Sequence, residues 1–231
     1  MGQPEVAYIE VEGRSIAYRL RSGASPTLVF LPGYASDMEG AKALALDAFA
    51  EQRGLAMLRL DYSGTGSSKG RFEDGTLAAW LEEALAAVDR LTDGPLIVVG
   101  SSMGGWIALH LVLLRPDRVK AMLGIAAAPD FTEWGFRGGD DAERQGLSRA
   151  FWESGQRLRL LDGEIAIDCP VRLVHGEADE DVPLDIAFRL MRALRSSDVQ
   201  LLTIKGGGHR LSEPREIETI LAVVAGLLEI A

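Results

Sequence analysis

Six stretches of the chain are predominantly apolar rather than alternating: Thr27–Leu31, Leu55–Leu60, Leu96–Gly100, Ala121–Ile125, Val171–His175 and Val199–Ile204. A strand that alternates apolar and polar residues leaves one face to water. A continuous apolar run has to be covered on both faces, which is the condition of a strand inside a parallel sheet. The covering layers are present in Met38–Arg53, Thr76–Leu91, Met103–Leu114, Val182–Leu194 and Glu213–Leu228, which show helical spacing with start signals such as Thr76 and Ser212. Val6–Val11 and Ile16–Leu20 are short, alternating and close together, as in an antiparallel hairpin. Eight strands with helices between them predict an α/β architecture, a mostly parallel, doubly wound sheet with right-handed crossovers. At 231 residues the chain suits a single domain, 1–231.

One stretch, Asp130 to Asp162, lies outside the strand–helix alternation and gathers Phe131, Trp134, Phe136, Phe151 and Trp152. Its Gly138-Gly139-Asp140-Asp141 sequence supplies a turn on which it can fold back. The expectation is a small lid at about 130–162, with Phe131, Trp134, Phe136 and Trp152 facing a substrate pocket. The alternative is a surface excursion whose aromatics pack on the domain.

Apolar residues make up 47% of the chain and charged residues 25%, so a sizeable core can form. Lys and Arg total 24 against 34 Asp and Glu, a formal charge of −10 that repels a phosphate backbone and argues against a nucleic-acid partner. The stretch Met1 to Arg14 is acidic and has neither the apolar run of a secretory signal nor the Arg-rich character of a transit peptide, and no segment reads as an integral membrane span; the expected location is the cytoplasm. A lone cysteine, Cys169, has no disulfide partner in the chain and is expected to be a buried bystander.

Gly100-Ser101-Ser102-Met103-Gly104 fits G-x-S-x-G, and its setting gives the short motif meaning. Leu96-Ile97-Val98-Val99 precedes it as a strand and Trp106-Ile107-Ala108-Leu109 follows as a helix, the strand–turn–helix context that exposes a serine hydroxyl. Ser102 takes the nucleophile position. The N–H of Met103, at the helix N-terminus, is placed to stabilise an oxyanion. A second donor is expected from Tyr34, because Leu31-Pro32-Gly33-Tyr34-Ala35 ends a strand in a glycine turn at the carboxyl edge of the sheet.

A serine hydroxyl needs a base to become a competent nucleophile. Of three histidines, His110 lies inside an apolar helix and His175 ends a strand, whereas His209 follows Gly206-Gly207-Gly208 in a loop, where a base is accessible. The carboxylate that orients the base is expected in Gly176-Glu177-Ala178-Asp179-Glu180-Asp181-Val182-Pro183. Asp179 is favoured, Asp181 is expected to cap the next helix, and Glu177 is a weaker candidate. Asp61-Tyr62-Ser63-Gly64-Thr65-Gly66-Ser67-Ser68 lacks the endings of phosphate-binding loops and reads as a structural turn near the site. No cofactor motif and no metal-ligand spacing is present, so neither a cofactor nor a metal is expected.

Together these residues resemble the α/β-hydrolase superfamily across nearly the whole chain, in the order Ser102, Asp179, His209. Phe30-Leu31-Pro32-Gly33-Tyr34, Arg59-Leu60-Asp61-Tyr62-Ser63-Gly64 and Ser101-Ser102-Met103-Gly104-Gly105-Trp106 look more narrowly like the abhydrolase-domain-10 family, whose animal members are mitochondrial enzymes described as protein depalmitoylases and as esterases for the acyl glucuronide of mycophenolic acid. The resemblance implies a Ser102–His209–Asp179 triad and a small-molecule or acylated substrate carrying an ester or thioester. It departs from that family in having no evident transit peptide and a short segment between elbow and acid. A slow ligand receptor and an acyltransferase on the same triad remain the competing classes, and acyl length, leaving group and oligomeric state are open at this point.

Overall fold

The computed structural model describes residues 2–230. Its eight strands are β1 (Ala7–Val11), β2 (Arg14–Arg21), β3 (Ala24–Leu31), β4 (Leu55–Leu60), β5 (Leu96–Ser101), β6 (Val119–Ile125), β7 (Val171–Gly176) and β8 (Val199–Ile204). They form one sheet in the order β1-β2-β4-β3-β5-β6-β7-β8. β1 pairs with β2 and β2 with β4 antiparallel, and every later pairing is parallel. Chain order and sheet order differ at β3 and β4, so the carboxyl ends of β3 and β5 lie side by side, where loops converge in sheets of this kind.

The helices are α1 (Ala41–Arg53), α2 (Leu77–Leu91), α3 (Met103–Leu114), α4 (Phe131–Trp134), α5 (Gly139–Arg144), α6 (Arg149–Arg157), α7 (Leu184–Ala193) and α8 (Pro214–Leu228). The central strands divide their side chains between two cores. In β5, Leu96 and Val98 join the core that contains Trp80 of α2 and Trp106 of α3, while Ile97 and Val99 join Leu46 and Phe49 of α1 and Ile220, Val224 and Leu227 of α8. In β3, Val29 and Leu31 face the first core, and Leu28 and Phe30 the second. This is why the runs are apolar at successive positions: both faces are dry.

Three expectations are corrected. β8 is the edge of the sheet and half-exposed, with Leu202 39% accessible, because among the described residues no further strand pairs with its outer side. The N-cap of α8 is Glu213 rather than Ser212. Glu213 and Glu216 form a reciprocal capping box with Pro214 at the first helical position, and that satisfies the end without a serine. Asp181 caps nothing: Pro183 holds the chain extended up to Leu184, and the Asp181 N–H turns back to donate to Asp179.

The stretch after β6 is three short helices, α4 to α6, bound at the stem. Asp130, buried and with φ 58°, accepts hydrogen bonds from the N–H groups of Leu160 and Leu161, which joins the two ends of the excursion. Ser154 accepts the Ala78 N–H in the first turn of α2, and Trp106 and His110 of α3 both donate to the Leu158 carbonyl. His110 is therefore structural, and burial lowers its pKa and favours the neutral ring. Cys169 is only half-buried, and desolvation pushes its thiol up to about 11, so it stays protonated.

Candidate active site

Ser102 sits between β5 and α3 with φ 55° and ψ −122°, a conformation that is strained for any residue with a Cβ. Its surroundings hold it there. Its N–H donates to Ile125 O at 2.9 Å, and its carbonyl accepts from Gly105 N at 2.8 Å and Ala128 N at 3.1 Å. The flanking glycines of the motif exist for space: a Cβ on Gly100 would stand 2.3 Å from Gly104 O, and one on Gly104 would stand 2.1 Å from Leu31 O. The chain crosses itself at van der Waals distance, and the serine is lifted out at the crossing.

The loop after β3 passes directly over Ser102, since a Cβ on Gly33 would lie 3.2 Å from Ser102 Cβ. Asp61, buried at the end of β4, fastens that loop by accepting the Met38 N–H at 2.7 Å and the Ser67 N–H at 2.7 Å. Burial raises the Asp61 pKa, and the two N–H donors oppose the shift. The 61–68 loop is thus the structural turn that its sequence suggested. Tyr34 lines the same cavity as Ser102, Met103 follows Ser102 in the chain, and among the described residues neither backbone N–H donates to another protein group.

His209 arrives from the far side. Its loop is laid against the β7 end: Ala178 N donates to Gly207 O at 2.9 Å, and a Cβ on Gly176 would meet Gly207 O at 2.2 Å. Leu211, buried in the second core, anchors the segment behind it. Within this frame His209 Nδ1 lies 2.9 Å from Asp179 Oδ2 and His209 Nε2 lies 3.0 Å from Ser102 Oγ. An ionised carboxylate only accepts, so Nδ1 carries the proton and Nε2 offers its lone pair to the serine hydroxyl.

Asp179 has its side chain fully buried. Burial alone would raise its pKa, but hydrogen bonds from His209 and the Val182 N–H, together with the electrostatic pull of the His209 and His175 rings, outweigh it and hold the carboxyl below its ordinary value. Its Oδ1 also accepts from Asp181 N. Glu177 is exposed and accepts the Gly206 N–H at 3.1 Å, so it braces the histidine loop without facing the ring. His175 is buried, donates Nε2–H to Val182 O at 2.9 Å, and approaches Asp179 Oδ2 at 3.5 Å. Potential ligand atoms of Asp179, Asp181 and His209 fall within 4.8 Å of one another. Both oxygens of Asp179 already accept hydrogen bonds, so the arrangement suits proton relay better than metal ligation.

A cavity of about 460 Å³ opens onto Ser102 between the β3–α1 loop and the segment 209–212; Tyr34, Asp37, Lys42, His209 and Arg210 form part of its wall. Phe131, Trp134, Phe136 and Trp152 are half-buried and pack inward from the excursion. Phe131 meets Tyr34, Trp106, Phe136 and Phe151, while the Trp134 and Trp152 indoles donate to Pro129 O and Thr132 O. None of the four lines this cavity. Lys42 and Arg210, which the sequence analysis did not single out, stand in the cavity wall.

A serine on a strained turn after β5, an acid after β7 and a histidine after β8 stand together at the carboxyl edge of the sheet. The family model described as the alpha/beta hydrolase fold matches residues 26–162, and the chain belongs to the α/β-hydrolase family. Within it, the chain is similar to palmitoyl-protein thioesterase ABHD10, mitochondrial, from Homo sapiens, at 34% identity over 93% of this chain and 77% of that protein. Among solved structures it matches alpha/beta hydrolase domain-containing protein 10 from mouse with a TM-score of 0.91 at 31% identity, over 97% of this chain and 98% of the other. It also matches a protein of Agrobacterium vitis S4 described in general terms as a hydrolase, with a TM-score of 0.91 at 39% identity over 98% and 99% of the two chains. These relatives support a hydrolase. No helix among the described residues is long and apolar enough to cross a membrane.

Proposed function

We propose that the protein hydrolyses a carboxylic ester or acyl thioester through an acyl-enzyme on Ser102. The observation that carries this reading is the unbroken chain from Asp179 Oδ2 through both nitrogens of His209 to Ser102 Oγ, at 2.9 and 3.0 Å. In this reading Ser102 Oγ attacks the carbonyl carbon while its proton passes to His209 Nε2, and the Tyr34 and Met103 N–H groups receive the oxyanion. Each such donor is worth about 3 kcal/mol in the transition state. The bond from the carbonyl carbon to the leaving oxygen or sulfur then breaks, and His209 returns the proton to the leaving atom. Water attacks the acyl-enzyme, again giving its proton to His209, and the carboxylic acid is released with Ser102 restored.

The similarity to proteins named palmitoyl-protein thioesterase supports an acyl thioester among the substrates. The excursion acts in this reading as the cover of the site, with Phe131 touching the oxyanion loop through Tyr34, ring centroids 6.2 Å apart. The test is a series of p-nitrophenyl esters and acyl thioesters from short to long chains, with Ser102→Ala as the blank and a fluorophosphonate probe to label the nucleophile. Turnover and labelling that vanish in Ser102→Ala are expected. Activity retained in that variant would remove Ser102 from the mechanism, and retention of a ligand with negligible turnover would favour a receptor.

A further inference from the structure

The carboxylate of Asp179 has one more neighbour than a triad requires. Its Oδ1 accepts the N–H groups of Asp181 at 3.0 Å and Val182 at 2.8 Å, and its Oδ2 faces His209 Nδ1 at 2.9 Å. His175 Nε2, at the carboxyl end of β7, stands 3.5 Å from that same Oδ2. The His175 side chain is 2% exposed and that of Asp179 fully buried, so solvent does little to screen the approach. A carbonyl only accepts, and Nε2 lies 2.9 Å from Val182 O, so the His175 proton is on Nε2. The N–H bond is spent on Val182, and its positive end lies beside Oδ2, too far for a full hydrogen bond and near enough for electrostatic attraction.

Val182 is buried and closes the loop that carries Asp179, so its carbonyl holds the His175 ring in place against the acid. The other groups around the pair come from separate elements. Asp181, on the acid's own loop, has a carboxylate oxygen within 4.8 Å of ligand atoms of Asp179 and His209, Lys42 and Arg210 stand with His209 in the cavity wall, and Glu177 is turned away to the Gly206 N–H. Of these, His175 alone presents an N–H to the oxygen that His209 uses. A carboxylate whose charge is partly taken up by a second N–H is a weaker base, and an imidazole facing a weaker base gives up its second proton at a lower pH. We propose that His175 is a positioning residue of the triad: acting through Asp179 Oδ2, it lowers the pH above which His209 serves as base. The inference rests on the serine-hydrolase reading and adds a residue to its machinery.

The test is the pH dependence of kcat/KM for 4-nitrophenyl butyrate, an ester without a titratable group, so that the acid limb of the profile reports the free enzyme. The parent is compared with His175→Phe, which keeps a ring and loses the N–H, and with His175→Gln, whose amide nitrogen stands as many bonds from the backbone as Nε2. The limb is expected about half a pH unit or more higher in His175→Phe, and near the parent's position in His175→Gln. Only active molecules contribute to the profile, so a loss of folded fraction lowers the rates and leaves the limb where it is.

Proton NMR of the parent reads the same contact without a substitution. The His209 Nδ1–H and the His175 Nε2–H both face Asp179 Oδ2, so a nuclear Overhauser contact between the two protons is expected. The His175 proton is also expected to shift across the pH range of the limb, as His209 gains its second proton and draws on the shared oxygen. A limb that stays in place or falls in His175→Phe, a limb that rises equally in both variants, or a His175 proton that does not respond across the limb would each overturn the proposal. Ser102-dependent hydrolysis by the parent would leave the hydrolase reading standing in all three cases. No Ser102-dependent hydrolysis of this ester or of the ester and thioester series above would overturn both.

Discussion

Ser102 is held at positive φ by hydrogen bonds on both sides, and a Cβ in that conformation costs on the order of 1–3 kcal/mol. The strain is local to the backbone, so alanine inherits it and glycine does not. Ser102→Gly should therefore be more stable than Ser102→Ala, by roughly 1 kcal/mol once the greater freedom of glycine in the unfolded chain is allowed for, and should melt at a higher temperature. Equal midpoints would mean that the elbow is relaxed. Asp179 makes a second prediction. Its carboxyl is held below the ordinary value, so it contributes stability that is present above the unfolded value near 4 and is lost as pH falls through the folded one. Asp179→Asn gives up that contribution at neutral pH, and its thermal midpoint should decline less steeply than the parent's between pH 5 and pH 3, roughly the window set by those values. The same change presents the wrong partner to His209 Nδ1 and should lower kcat about 10⁴-fold with the fold retained. Thermal melts across pH and ester kinetics check the two halves separately.

At the scale of elements, the excursion is fixed less by its aromatics than by its stem. Asp130 accepts two backbone N–H groups at the point where the chain returns, and both donors lose their partner when the carboxylate is removed. Asp130→Ala should cost about 1–3 kcal/mol and should open residues 137–146 to proteolysis before the domain itself unfolds. Simultaneous cleavage throughout the chain would refute that stem role. The elements themselves were readable wherever one rule governed them. Leu96–Gly100 and Leu55–Leu60 are apolar on both faces and became strands at almost the expected bounds, and Thr76 caps α2 through its own hydroxyl. Ser212 and Asp181 were misread because a cap depends on backbone direction, which Pro214 and Pro183 set two residues further on. The order Ser102, Asp179, His209 could be read because each follows its own strand. Lys42 and Arg210 could not, since 167 intervening residues separate them and only the folded sheet makes them neighbours.

For the molecule as a whole, two kinds of charge interaction respond oppositely to salt. Surface ion pairs such as Arg195–Asp168 and Arg149–Glu143 are exposed and contribute little, and salt weakens them. The network around Arg59, which is fully buried and approaches Glu39 and Asp47 while Arg21 holds Asp47 from the other side, is shielded from the solvent and nearly indifferent to ions. What remains is the net charge of −10, a repulsion spread over the whole surface that opposes the compact state and acts over about 30 Å at 10 mM salt but only about 8 Å at 150 mM. The long-range repulsion has more to lose than the weak contact pairs, so the thermal midpoint should rise, by roughly a few degrees, between 10 and 150 mM sodium chloride. Lowering the pH from 7 toward 5 at low salt should do less, because most carboxylates ionise below that range. A midpoint that fell with added salt would mean that the surface pairs outweigh the net field, and replacing Arg195 and Arg149 would then be the way to find which of them carries the stability.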